Sequence, residues 1–143
     1  MKKYKSNGFI GNKKAQIYGE RLEHIKKSKG KLKPQYVVED AKNPKSILHD
    51  YFEWNNSKAG EKYRIHQARQ LISCIVEVVV VEGKRTNMKS FFNIGKDDDQ
   101  ERVYITLKEA VTKPNYKKQV LNQLIHELEY ITDLMRTFKK YDD

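Results

Sequence analysis

Residues 74–107 read CIVEVVVVEGKRTNMKSFFNIGKDDDQERVYITL, and this stretch decides the fold class. Three short runs rich in β-branched and aromatic residues, CIVEVVVV, KSFFNIG and RVYITL, alternate with the polar segments EGKRTNM and GKDDDQE. Runs of this length and composition bounded by turn formers predict strands, and their close succession predicts a three-stranded antiparallel meander. Downstream, Thr106 and Glu109 have the spacing of a capping box, so a short helix LKEAVT is expected to leave the third strand and to stop at Pro114. Residues 115–140 then carry Leu121, Leu124, Leu128, Ile131, Met135 and Phe138 at steps of 3-4-3-4-3, the a and d positions of a heptad. Val120, Ile125 and Leu134 broaden that stripe. A strict seam points to a homo-oligomer through this helix, whereas the extra width favours packing on the chain's own sheet.

Upstream of the strands the period changes from two to about 3.6. Residues 13–28 hold Ile17, Leu22 and Ile25 at helical spacing, and Gly30 and Pro34 end the pattern. Pro34 fits the first turn of a second helix, PQYVVEDAKN, closed by Asn43-Pro44. Ser46 suits the cap of a short third helix, SILHDYFEW, which supplies Leu48, Tyr51, Phe52 and Trp54 to a core. Asn55, Asn56 or Ser57 then caps a fourth helix running from Lys58 toward Cys74. The whole reads as α+β: N-terminal helices, a three-stranded antiparallel meander and a long C-terminal helix. Residues 1–34 form a basic arm and first helix, and residues 35–143 a single globular domain.

Composition narrows the chemistry. The 143 residues hold 29 Lys and Arg against 19 Asp and Glu, a net charge of +10, with one cysteine and four histidines. One cysteine forbids an internal disulfide, and its place in an apolar run predicts a buried thiol in a reducing, intracellular setting. No run approaches the roughly 18–20 apolar residues of a membrane span, and the start MKKYKSNGFIG lacks a secretory h-region. There is no HExxH, CxxC, Walker loop, GxGxxG or GxSxG, so no metal, nucleotide cofactor or catalytic residue is expected. Asp97, Asp98, Asp99 and Glu101 invite a metal reading, but adjacent carboxylates on a hairpin tip are expected to point in different directions, unlike the spaced ligands of a calcium loop. His49 beside Asp50 and Glu53 reads as a structural polar group packed near Trp54.

The charge is unevenly placed. Residues 1–34 hold ten lysines and Arg21 against Glu20 and Glu23, a net +9, while the rest of the chain has eighteen cations for seventeen acids. The first dozen positions have too few apolar residues to order alone, so they are expected to stay disordered until they meet an anionic partner. Lys2, Lys3, Lys5, Lys13 and Lys14, with Lys26 and Lys27 further on, suit phosphates, and Tyr4, Phe9 and Tyr18 suit stacking on bases. In the fourth helix Lys62 and Arg69 fall about 40° and 20° from Lys58 at 100° per residue, while Ile65, Ala68, Leu71 and Ile72 fill the arc from about 220° to 340°. With Arg64, His66 and Gln67, that edge suits a phosphate backbone or base edges in a major groove, and the helix order allows a helix-turn-helix. Lys84, Arg85 and Lys89 in EGKRTNMK suit a wing contact.

The block formed by Pro34, Val37, Val38, Ala41, Leu48-His49, Phe52-Glu53-Trp54, Ala59, Tyr63-Arg64 and Gln67-Ala68-Arg69-x-Leu71-Ile72 resembles a group of small proteins encoded in phage and prophage genomes. The similarity extends over most of the chain after the arm and departs at Asn55-Asn56 and Gly60. It implies a phage or prophage setting and carries over no catalytic or binding residue. Two readings follow. The first is a non-enzymatic nucleic-acid-binding protein, DNA ahead of RNA and duplex foremost, acting as a phage regulator or DNA-coating protein in the host cytoplasm, on its nucleoid or in the virion. The alternative is a protein-interaction module that meets a host or phage protein as a takeover factor, inhibitor or assembly component. Neither involves a membrane.

Overall fold

The computed structural model describes residues 2–55 and 60–142. The chain runs β1 (Tyr4–Ser6), α1 (Asn12–Lys29), α2 (Pro34–Ala41), a 3-10 turn at His49–Tyr51, α3 (Gly60–Cys74), β2 (Ile75–Val81), β3 (Lys84–Lys89), β4 (Phe91–Lys96), β5 (Arg102–Thr106), α4 (Leu107–Thr112) and α5 (Pro114–Lys140). It divides into two compact units, Met1–Leu107 and Lys108–Asp143, where charge and composition place a boundary at residue 34. The α+β class holds, with N-terminal helices, a three-stranded antiparallel sheet and a long C-terminal helix.

In the first unit α1 buries Ala15, Tyr18, Leu22 and Ile25, one face at helical spacing. Gly30, at φ 79°, ends it in the left-handed conformation that glycine adopts without steric penalty, and Lys26, Lys27 and Lys29 oppose the negative end of the helix dipole. Pro34 opens α2, which buries Val37, Val38 and Ala41. Ala68, Leu71 and Ile72 of α3 join Leu22, Leu48, Phe52, Ile75 and Phe91 in one core.

The three-stranded sheet has the order β1-β2-β3, all antiparallel, and β4 and β5 form a separate hairpin. Glu82 and Gly83, at φ 50° and 78°, make the two-residue turn between β2 and β3. Positive φ at both positions gives the backbone twist that matches a hairpin. Leu32, in the link from α1 to α2, exchanges backbone hydrogen bonds with Tyr104 of β5 and so ties the helices to the second hairpin.

Several expectations are corrected. The sheet's members differ from the expected meander: EGKRTNM is a turn followed by a strand, and the third strand comes from the N-terminus. The arm is not disordered at residues 4–6. Gln16 of α1 accepts from the Tyr4 backbone N–H at 2.8 Å and donates to the Lys2 carbonyl at 2.9 Å, satisfying the free edge of β1. The Tyr4 ring lies on Gly19, where a Cβ would come within 2.4 Å of it. The expected third helix is a single 3-10 turn. The described residues 42–55 between α2 and α3 already number fourteen, where a helix-turn-helix uses three or four.

In the second unit α5 spans 27 residues. Its apolar seam is exposed, from Leu121 at 47% to Phe138 at 72%. No helix among the described residues is long and apolar enough to cross a membrane.

Candidate nucleic-acid interface

Strand pairing sorts the cations of the first unit. Side chains alternate between the faces of a sheet, and residues directly opposite on neighbouring strands share a face. Tyr4 pairs with Glu77 and Ser6 with Ile75, and the burial of Tyr4 against Gly19 places this face on α1. The other face carries Lys5 opposite Val76, then Lys89 opposite Val76, Asn87 opposite Val78 and Arg85 opposite Val80. Lys3 joins it by alternation, its carbonyl accepting from the Val78 N–H at 3.0 Å.

This outer face carries Val76, Val78 and Val80, with Lys3 and Lys5 of the N-terminal segment on one side and Arg85, Asn87 and Lys89 of β3 on the other; Val76 is buried and Val80 is 71% exposed, so the face opens toward the hairpin tip. The flanking strands lie about 10 Å apart, two strand spacings. No strand position on that face is acidic or aromatic. No described carboxylate forms an ion pair with Lys3, Lys5, Arg85 or Lys89; the Lys89 ammonium sits 5.8 Å from the centre of the Phe92 ring. Beyond Lys3 the β2–β3 hairpin continues as a two-stranded ribbon whose tip, residues 80–85, is exposed.

The remaining candidates separate into free and engaged groups. Lys13 and Lys14 are exposed in the first turn of α1, and Lys62 is exposed on α3. Lys84 shares the inner face with Glu77, one position out of register with Arg85. Lys2 is 3.0 Å from Glu23 and Lys27 3.9 Å from it, while Lys26 is also engaged. Arg64 is buried: its guanidinium lies 5.2 Å from the Trp54 ring centre, donates to the Glu53 carbonyl at 3.3 Å and pairs with Glu61 at 3.2 Å. It is a structural residue and leaves the contact set. Gln67 accepts from the Glu53 N–H at 3.3 Å, and Arg69 is half-buried. Lys58 lies outside the described residues, so the three-cation edge is represented by Lys62 and Arg69 alone. Tyr4 and Tyr18, expected to stack on bases, are core residues, and Phe9 alone of the three is exposed.

The acidic hairpin tip is occupied from within the chain. Asp97, Asp99 and Glu101 do converge, their oxygens within 4.8 Å of one another, because alternate residues of the turn face one way. At their centre is the buried ammonium of Lys33, 2.7 Å from Asp97, 2.6 Å from Glu101 and 3.8 Å from Asp99, with Lys31 3.4 Å from Asp97. Burial lowers the affinity of Lys33 for its proton, but the hydrogen bonds to Asp97 and Glu101 outweigh it and raise its pKa above the usual lysine range. The same ammonium holds Asp97 down at about 2. Lysine charge fills the place a cation would take.

Two further polar groupings are likewise self-satisfied. A cleft of about 490 Å³ between α1 and the segment after α2 is lined by Arg21, His24, Asp40 and Ser46. Arg21 pairs with Asp40 through Nε and Nη2, and the Ser46 hydroxyl donates to Asp40 at 2.7 Å, so the Asp40 carboxylate is satisfied within the chain. His49 stacks on Trp54 with ring centres 4.9 Å apart, as its sequence neighbours suggest. Its Nδ1 donates to the Ala41 carbonyl at 2.7 Å, and the Trp54 indole N–H donates to the His49 carbonyl at 2.8 Å.

Register is what the sequence leaves unseen. By sequence alone Arg85 and Lys84 are equivalent and Lys3 and Lys5 belong to an unstructured arm, because the pairing of β1 with β2 has no local signal. No protein-family model, no curated protein and no solved structure matches the chain.

Proposed function

We propose that the protein binds double-stranded DNA without catalysing a reaction, through the outer face of the β1–β2–β3 sheet. The observation that carries this reading is the set of four cations on one sheet face, Lys3, Lys5, Arg85 and Lys89, with no acid among them and no described ion pair drawing on them. Unpaired cations across a rigid face neutralise phosphates and release counterions, the main source of DNA affinity. A two-stranded ribbon fits a major groove about 12 Å wide. Arg85 and Asn87, two positions apart on β3, have the bidentate chemistry that reads guanine and adenine edges, and Val80 offers an apolar contact to a thymine methyl. The absence of aromatic residues from this face favours duplex over single strands, which are gripped by stacking. Lys13 and Lys14 support the reading, since cations in a first helical turn oppose the helix dipole and do not serve helix stability. In the phage setting that the resemblance implies, such a protein acts as a DNA-coating protein or regulator.

The test is anisotropy of labelled duplex DNA, single-stranded DNA and RNA over a salt series, comparing the natural chain with Lys3→Ala/Lys5→Ala/Arg85→Ala/Lys89→Ala. Duplex is expected to bind most tightly, and the log-log salt slope to flatten by about 3–4 in the variant, near 0.9 for each phosphate no longer neutralised. An unchanged slope, or a preference for single strands, would refute the sheet-face duplex reading.

A further inference from the structure

The second unit carries an apolar surface that the DNA-binding reading leaves unused. Leu121, Leu124, Leu128, Ile131, Met135 and Phe138 line one side of α5 and are 47–72% exposed. Ion pairs within the helix, Arg136 with Asp133 at 3.7 Å and His126 with Glu129 at 3.7 Å, lie on the opposite side. Large apolar side chains in a row about 26 Å long differ from the scattered exposed residues of ordinary surfaces, where patches seldom exceed a few hundred Å².

We propose that this stripe seats the α5 stripe of a second copy of the chain. Four observations select that occupant. The seam has steps of 3-4-3-4-3, the 3.5-residue repeat that only another helix of the same repeat matches along its length by knobs-into-holes packing. The sequence of steps reads the same in both directions, so α5 meets its own repeat whether two copies run parallel or antiparallel. With Ile125 and Leu134 beside it, the seam offers on the order of 800 Å² per copy, the share each partner contributes to a standard interface. The six seam positions include no charged residue that a duplicate would bury unpaired.

Sedimentation velocity of the full chain over a hundredfold range of concentration tests this without any substitution. Self-associated species that dissociate on dilution to the 16.9 kDa chain are expected. A monomer at every concentration would overturn the proposal and leave the stripe to a different protein or to the chain itself. Leu128→Asp is expected to weaken self-association at least tenfold, and Glu129→Lys, on the polar side, to leave it within twofold. Circular dichroism and Trp54 fluorescence show whether each variant stays folded. Association that persists unchanged in a folded Leu128→Asp chain would place the interface elsewhere and equally overturn the proposal.

Discussion

Lys33 and Lys5 come from the same lysine-rich first quarter of the chain, and the fold treats them oppositely. Lys33 is carried by the Leu32–Tyr104 bridge into a cage of Asp97 and Glu101, at 2.7 Å and 2.6 Å, and is buried. Lys5 is carried by β1 onto a sheet face that holds Lys3, Arg85 and Lys89 and no carboxylate. One lysine is spent on joining the helices to the β4–β5 hairpin, and the other remains available to an outside anion. Net charge therefore says little until each cation is followed to its nearest acid. Part of the +9 carried by residues 1–34 is neutralised by acids from later in the chain, through Arg21 with Asp40 and Lys31 and Lys33 with the hairpin tip.

The sharpest way to break this contrast is Lys33→Met. It leaves two carboxylates facing one another over an apolar side chain, and removal of one partner from a buried ion pair costs about 3–5 kcal/mol. Asp97 and Glu101 keep some access to water, which places the expected loss near the lower end, about 3 kcal/mol in a urea melt. The pH profile should change as well. Asp97, with its pKa held at about 2, contributes stability that is present above the ordinary carboxylate value and is lost as pH falls toward 2. Lys33, with its pKa raised, contributes below the ordinary lysine value and loses that contribution only as pH rises through its folded value. The natural chain should lose the Asp97 contribution below about pH 4, whereas the Lys33→Met chain should show a shallower acid limb. DNA affinity should not change at temperatures where both chains are folded.

Gly19→Ala attacks the other half of the contrast. The added methyl would lie 2.4 Å from the Tyr4 ring, so β1 must shift or Tyr4 must leave its pocket. Overpacking of this kind costs about 1–3 kcal/mol. Because Tyr4 anchors the strand that presents Lys3 and Lys5, the same change should flatten the DNA salt slope by about 2 while leaving Arg85 and Lys89 in place. A destabilised chain with an unaltered slope would show that the two lysines act from a loose arm and do not need β1.

These variants also mark what a reader of the sequence alone can and cannot see. Helical spacing locates α1, α2, α3 and α5, and β-branched runs locate β2, β4 and β5, because each element carries its own apolar period. β3 has none: KRTNMK offers Met88 alone as a large apolar residue, and its strand character comes from pairing with β2 across the Glu82-Gly83 turn. β1 is three residues long and is defined by Gln16, Gly19 and Glu77, all distant in sequence. Arg64 resembles its neighbour Lys62 in a linear reading, yet Trp54, ten residues earlier, covers it. The sheet face is illegible for the same reason, since its members span residues 3–89 and meet only through register. The acidic tip shows the reverse error: spacing alone underestimates its convergence, because the turn that aligns Asp97 with Glu101 is organised by Asp97 itself, whose Oδ1 accepts from the Asp99 and Glu101 backbone N–H groups at 3.0 Å and 3.1 Å.

The finest test uses two neighbouring residues. Lys84 and Arg85 are adjacent, both cationic and both exposed, so if the hairpin tip attracts DNA by charge alone, Lys84→Ala and Arg85→Ala should weaken binding equally. Register predicts otherwise. Arg85 lies opposite Val80 on the face with Lys3 and Lys5, while Lys84 lies opposite Val81 on the face with Glu77. Neither substitution removes a buried side chain, so both chains should melt within about 0.5 kcal/mol of the natural one. Arg85→Ala should reduce the salt slope by about 0.9, the effect of a single phosphate, whereas Lys84→Ala should leave it unchanged. Equal effects would mean that the ribbon tip attracts DNA diffusely. A larger effect from Lys84 would invert the assignment of the faces, because an alternation of two leaves no third arrangement of these side chains.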